Sequence, residues 1–262
     1  RREGGGASKV GIQGCDVGEG RRKEQGRKDD SRRGGEAEVD RAAERADYLR
    51  NVMRRADGDP VVLFNGGDGE WRGTIRRTGK RTAEVELAEK LREQTTPPDI
   101  HYCFAPIKRA RLDFIAQKAT ELGASLLQPV LTRYTVAERV KTERLAANAV
   151  EAAEQCGILW VPDVAAPVPF ERFMADRNPA RTLIFCDEAA PVTDPVAALG
   201  AVPDGPLAAM IGPEGGFSEE ERQALLRADN VAAISLGPRV MRADTAGIAA
   251  MTLIQAIKGD WR

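Results

Sequence analysis

The spacing of apolar positions changes character several times along this chain. Residues 1–36 show no period at all. They are crowded with Gly, Arg, Lys, Asp and Glu and hold few apolar side chains. Such a stretch buries too little surface to offset chain entropy. It is expected to lie outside the folded domains, as a flexible basic tail or as a disordered or spurious extension. Residues 40–54 then take helical spacing, with Ala46, Leu49, Val52 and Met53 on one side. Three short β-type runs follow, at 60–64, 70–75 and 82–87. Asn65-Gly-Gly-Asp-Gly69 between the first two predicts a hairpin turn. Residues 37–96 therefore form a small β-rich domain.

Pro97-Pro98 marks a boundary. Residues 99–262 then alternate between strand and helix patterns. Strands are predicted at 101–105, 125–131, 181–186, 207–211 and 233–236. Helices are predicted at 112–122, 142–156, 218–226 and 243–258. Gly123 stops the first of these, and Ser218 with Glu221 opens the third as a capping box. This alternation specifies an α/β domain with a mostly parallel sheet.

Composition narrows the chemistry. The 262 residues suit one large domain or two small ones, and 42% apolar content supports a true core. A net charge of -1 gives no global pull toward nucleic acid, so RNA binding would need a local basic patch. The β-rich domain carries Arg50, Arg54, Arg55, Arg72, Arg76, Arg77, Lys80 and Arg81. That set fits a phosphate-docking face and an ordinary solvated face equally well. Cys15, Cys103, Cys156 and Cys186 form no CxxC pair, which argues against zinc and disulfides and fits small buried residues in a reducing, cytoplasmic setting. No metal site is expected. The single histidine, His101, begins a strand with no nucleophile elbow elsewhere, which leaves it a structural role. No apolar run is long enough for a membrane span, and no membrane partner is expected.

Three strand ends carry the candidate site: Asp187-Glu188, the turn Gly212-Pro-Glu-Gly-Gly216, and the segment Gly237-Pro-Arg-Val-Met-Arg-Ala-Asp244. Ligands of parallel sheets sit beyond the carboxyl ends of the strands. Glycines there let a ligand approach bare backbone. The pattern is neither a dinucleotide fingerprint nor a phosphate loop. Two Gly-Pro turns at matched places predict one pocket with two walls.

Ile211-Gly-Pro-Glu-Gly-Gly-Phe-Ser218 and Leu236-Gly-Pro-Arg-Val-Met-Arg-Ala-Asp-Thr-Ala246 resemble the signature of the RsmE family, 16S rRNA uridine-N3 methyltransferases of the SPOUT class. Lys118-Ala-Thr-Glu-Leu-Gly123 and Glu151-Ala-Ala-Glu-Gln155 resemble further blocks of that family. Tyr48-Leu-Arg-Asn-Val-Met-Arg54 resembles its N-terminal PUA-like RNA-binding barrel. The resemblance runs in order over about residues 40–262. It implies an α/β fold with a SPOUT-type trefoil knot, a PUA-like domain before it, and a homodimer. It implies S-adenosylmethionine as methyl donor and no metal. The implied product is N3-methyluridine in the decoding region of 16S rRNA, position 1498 in the usual rRNA numbering, made in the small ribosomal subunit or its late precursor.

By the same resemblance, Ile211, Gly212, Pro213, Gly215, Gly216, Leu236, Gly237, Val240 and Met241 enclose the donor. Uridine N3 is a poor nucleophile until its proton leaves, so the site needs a proton acceptor or a cation for the developing anion. Arg242 is the candidate cation, Glu214 or Asp244 the candidate acceptor, and Thr245 a candidate hydrogen-bond partner of the base or cap of the final helix. Each also has a plain reading: the acids favour helix N-termini, and Arg242 pairs with one of them. Arg50, Arg54, Lys108, Arg109, Arg111 and Arg133 are candidates for RNA phosphate. The chain departs from the family pattern at Asp244, where Glu is usual, at Ile158, where Arg is usual, and at Tyr134, where a basic residue is common. Residues 1–36 offer no counterpart of the family's first barrel strand. Two alternatives stay open: a SPOUT methyltransferase with another RNA target, and a catalytically weak RNA-binding relative.

Overall fold

The computed structural model describes residues 8–11, 56–79, 83–136, 139–191 and 194–262. The chain divides into two compact units, Arg1–Thr95 and Thr96–Arg262. The division falls next to the predicted Pro97-Pro98 boundary.

The first unit holds a four-stranded sheet in sequence order: β1 (Ser8–Gly11), β2 (Pro60–Phe64), β3 (Glu70–Arg77) and β4 (Ala83–Arg92). The β2–β3 and β3–β4 pairs are antiparallel. The hairpin turn forms because the Asn65 side-chain oxygen accepts from the backbone N–H groups of Gly67 and Asp68, both at 2.9 Å. Val61, Leu63 and Ile75 make the core, with Ala83, Val85 and Leu87 against it. On the outer surface Arg72 pairs with Glu89 and Arg76 with Glu86. Those two cations of the basic set are thus partly neutralised across the sheet. Arg50, Arg54, Arg55, Lys80, Arg81 and the helix expected at 40–54 lie outside the described residues.

One expectation is corrected here. Residues 1–36 were read as lacking a strand, yet Ser8–Gly11 pairs in parallel with β2. Four residues are too few to show a period of two, and the strand is specified by the free edge of β2.

The second unit is built on seven strands, every pair parallel. They are β5 (Ile100–Phe104), β6 (Leu126–Leu131), β7 (Asp163–Val164), β8 (Val168–Pro169), β9 (Thr182–Cys186), β10 (Leu207–Ile211) and β11 (Val231–Ile234). Their spatial order is β11-β9-β10-β5-β6-β7, with β8 also on β6. The helices are α1 (Arg109–Glu121), α2 (Thr142–Cys156), α3 (Phe170–Asp176), α4 (Pro195–Gly200), α5 (Glu219–Arg227) and α6 (Ala243–Lys258). Successive strand residues feed two separate cores. Tyr102, Phe104, Ile184, Ala209 and Ile211 pack with side chains of α1, α2, α4 and α6. Cys103, Leu183, Phe185, Ala208 and Met210 pack with Phe170 of α3 and Leu225 of α5. Burial on both faces explains why these strands read as unbroken apolar runs.

Strand β11 lies two residues upstream of its predicted position. Its register against Leu183–Cys186 sets the start, and Ser235 ends it by accepting from the Gly237 N–H at 3.3 Å. The short elements β7, β8, α3 and α4 carry too few residues to declare a period. Close packing fixes two further details. Gly247 of α6 leaves room for the buried Tyr102 hydroxyl, which a Cβ would strike. Buried Gln255 donates to the Leu122 carbonyl at 2.7 Å, tying α6 to the end of α1.

The crossover that matters follows β8 and α3. The chain passes to β9, which lies two places beyond β5, and β10 returns to fill the gap. The carboxyl ends of β9, β10 and β11 therefore stand side by side at the reversal of strand order, the usual position of a ligand crevice in such sheets.

Candidate active site

A cleft of about 490 Å³ opens where those three strands end. Its size lies within the range typical of small-molecule sites. Each wall has a local cause. After β10, the Gly216 N–H donates to the Pro213 carbonyl at 3.0 Å and closes the turn. Gly216 sits at φ 71°, a conformation that favours glycine. Gly212 has no Cβ because one would come within 2.7 Å of the Phe217 ring. Phe217 in turn meets Phe185 edge-on, with centroids 5.2 Å apart. After β11, Gly237 at φ 111° redirects the chain into the segment that starts α6.

After β9, Asp187 is buried with its carboxylate fully used. One oxygen accepts from the Arg222 guanidinium at 2.9 Å and the other from the Ala189 N–H at 3.0 Å. This pair joins the β9 loop to α5 and frames one side of the cleft. Burial pushes the Cys186 thiol, also at the cleft, up to about 12, so it stays protonated at neutral pH.

The structure brings most of the predicted donor residues together. Ile211, Gly212, Pro213 and Gly216 line one wall, and Leu236, Gly237, Val240 and Met241 the opposite one. Gly215 is outside the lining. It faces Tyr134, whose Cβ would lie 3.1 Å from a Cβ at position 215. The mixed apolar and charged walls and the glycine-rich backbone suit the adenosine and methionine parts of a donor such as S-adenosylmethionine.

Of the candidate catalytic side chains, Glu214 and Arg242 line the cleft. Arg242 is exposed and forms no ion pair or side-chain hydrogen bond among the described residues. The pairing expected of it is made instead by Arg111. The Arg111 guanidinium lies 3.6 Å from a Glu214 oxygen and 3.8 Å from an Asp244 oxygen. Asp244 sits in the first turn of α6, accepts from the Thr245 N–H at 3.0 Å, and is outside the cleft lining. Thr245 is exposed beside it and also outside the lining. Arg111, a candidate for RNA phosphate, also bridges the two acids. Its spacing in α1 reveals nothing of that, since both partners lie more than a hundred residues away.

Of the remaining phosphate candidates, Lys108 and Arg109 follow β5, and Arg133 follows its neighbour β6. Exposed Lys108 is the N-cap of α1, and Arg109 occupies its first helical position. Arg133 is exposed, and its backbone N–H donates to the buried Glu221 carboxylate at 2.7 Å. Arg50 and Arg54 lie outside the described residues.

This constellation coincides with a known domain: the RNA methyltransferase domain family matches residues 94–255. The chain belongs to that family. The RNA methyltransferase PUA domain matches residues 42–88 ahead of it. The methyltransferase is 34% identical to ribosomal RNA small subunit methyltransferase E of a Synechocystis strain, over 85% of this chain and 74% of that one. It is 29% identical to the protein of the same name from Rickettsia conorii, over 80% and 86%. Among solved structures it resembles ribosomal RNA small subunit methyltransferase E from Neisseria gonorrhoeae bound to S-adenosylmethionine. The TM-score is 0.72 at 28% identity, covering 84% of this chain and 92% of that one. A Legionella pneumophila methyltransferase with bound S-adenosylmethionine gives a TM-score of 0.70 at 29% identity, covering 82% and 89%. Among the described residues of this methyltransferase no cluster of His, Cys, Asp and Glu could hold a metal, and no helix is long and apolar enough to cross a membrane.

Proposed function

We propose that this RNA methyltransferase transfers the methyl group of S-adenosylmethionine to N3 of the decoding-region uridine of 16S rRNA. The observation that carries the reading is a pair of opposite charges on one cleft: unpaired Arg242 on one wall and Glu214 on the other. The relatives named for small-subunit rRNA support the substrate class, and the donor-bound neighbours support the co-substrate.

When bound, S-adenosylmethionine supplies an activated methyl carbon on a sulfonium. The work of this chain is to hold the uracil and manage one proton. Glu214, exposed at the rim, takes the N3 proton, directly or through water. Arg242 faces the same space and stabilises the negative charge that spreads over the uracil as that proton leaves. The N3 electron pair then forms the bond to the methyl carbon as the carbon–sulfur bond breaks, leaving a neutral thioether. Arg111 holds Glu214 and Asp244 in place between turns of the chain. Thr245, beside Asp244 and outside the cleft lining, hydrogen-bonds the base in this reading once RNA enters.

The working form we propose is a cytoplasmic homodimer with a trefoil-knotted donor site, acting on the small subunit or its late precursor. The test uses small subunits purified from a strain that lacks the mark, the full chain and labelled donor. Mass mapping should place one N3-methyluridine in the decoding region. Methylation of a ribose, of another base, or none at all overturns the proposal. Arg242→Ala should cut turnover about a hundredfold or more, the scale of removing one preorganised charge-stabilising donor, while calorimetric donor affinity changes little. An unchanged rate removes Arg242 from the mechanism, and absence of donor binding by the unaltered chain favours the RNA-binding relative.

A further inference from the structure

Tyr134 is the feature the mechanism leaves unused. It is a large aromatic residue, 49% exposed, directly against the turn that forms the cleft wall. The Tyr134 side chain lies over Gly215, close enough that a Cβ there would sit 3.1 Å from the Tyr134 Cβ and 3.6 Å from its Cγ. Gly215 follows Glu214, the cleft-lining acid, so the ring stands one residue from the reacting space without lining it.

The segment that carries the ring is held rigidly. The Thr135 hydroxyl accepts from the Thr132 N–H at 2.9 Å, and the Thr135 N–H donates to the Thr132 carbonyl at 3.1 Å. The Arg133 N–H is pinned at 2.7 Å by Glu221, the buried carboxylate that also receives the Ser218 N–H at the start of α5. One carboxylate therefore fixes both the loop that bears the ring and the helix that follows the cleft turn. A half-exposed aromatic on a segment positioned this firmly is preorganised for a flat partner. Its nearest neighbours along the chain include a cation. Arg133 is exposed beside it, and Arg139 and Lys141 are exposed farther along the loop. An exposed aromatic face next to a cation is an arrangement that binds unstacked nucleotides.

We propose that Tyr134 is a stacking platform for a nucleobase of the RNA substrate, beside the uridine that enters the cleft. The inference rests on the RNA methyltransferase reading above. It concerns how the substrate is seated rather than how the methyl group moves.

The experiment measures steady-state methylation of unmarked small ribosomal subunits by the full chain and by its Tyr134→Ala and Tyr134→Phe variants, with donor affinity by calorimetry and oligomeric state by light scattering. Loss of one base–aromatic stack predicts a rise of about 5- to 150-fold in the KM for RNA in Tyr134→Ala. Turnover at saturating RNA and donor affinity should stay within about twofold, and Tyr134→Phe should restore the wild-type KM. Four outcomes overturn the inference: an unchanged RNA KM; a Phe variant as impaired as the Ala variant; a parallel fall in donor affinity, which would make the ring a mere support for the Gly215 turn; or a changed oligomeric state, which would make it a subunit contact. If the unaltered chain fails to methylate the subunits, the function reading falls and this inference with it. If the unaltered chain is active and one of the four outcomes appears, only the stacking role falls.

Discussion

Removing the Glu221 carboxylate should damage both the stability of the second unit and the shape of its cleft. Glu221 is 6% exposed. One oxygen accepts from the Arg133 N–H at 2.7 Å and the other from the buried Ser218 N–H at 2.9 Å. The Ser218 hydroxyl completes the capping box by accepting from the Glu221 N–H at 3.3 Å. Hydrogen bonds to a charged acceptor contribute roughly 1.5–3 kcal/mol each, and losing the acceptor strands two N–H groups away from water. Glu221→Ala should therefore cost about 3–5 kcal/mol. Glu221→Gln keeps the shape and one acceptor oxygen but sets its amide N–H against the second donor, for about 1.5–3 kcal/mol. Ser218→Ala removes a single cap and should cost only about 1 kcal/mol. Urea unfolding followed by far-ultraviolet circular dichroism reports this unit, because every described helix belongs to it. Donor affinity should fall in the same order, since the carboxylate anchors the end of the Gly212–Gly216 turn. The reasoning is refuted if Glu221→Ala costs no more than Ser218→Ala.

Two further outcomes follow from burial. Cys103 and Cys186 are held up at about 12 by desolvation, whereas Cys156 is exposed at the end of α2. Brief iodoacetamide treatment of the folded chain should label Cys156 and spare the other two, as read by peptide mass mapping; labelling of Cys186 as fast as Cys156 would refute the protection that its burial gives. Burial, reinforced by Arg181 and opposed by Asp99, lowers the His101 pKa below its usual 6.5. As pH falls through 6.5 the unfolded chain takes up that proton first, so stability falls until the folded ring protonates as well. His101 is the single histidine, so His101→Asn should flatten the stability profile just below pH 6.5; an unchanged slope refutes this.

Much of the second unit was legible because its signals are local. The helices at 142–156 and 243–258 and the strand at 207–211 fall where periodicity places them. The Ser218–Glu221 capping box was readable because its partners are three residues apart. What escaped the sequence is what joins distant segments. The second oxygen of Glu221 serves Arg133, 88 residues away, and no local pattern encodes that bond. The bridge that Arg111 makes between two acids had no local signal either. Gly215 looked like a donor contact, and its missing side chain makes room for Tyr134. The motif located the cleft, but only the packing distinguished the glycines that face it from the one that does not.

The strand order also governs when the site comes into being. While residues 1–206 are made, β9 has no neighbour linking it to β5, because that place belongs to β10. The sheet becomes continuous only when residues 207–211 slide between strands already made. The last wall and α6 come later still. Pairings this distant in sequence form slowly. Donor binding therefore requires β10 and the two walls that follow β10 and β11 to be in place. Affinity for S-adenosylmethionine becomes a direct readout of completed folding, appearing in refolding experiments together with the final burial of β10 and never ahead of it.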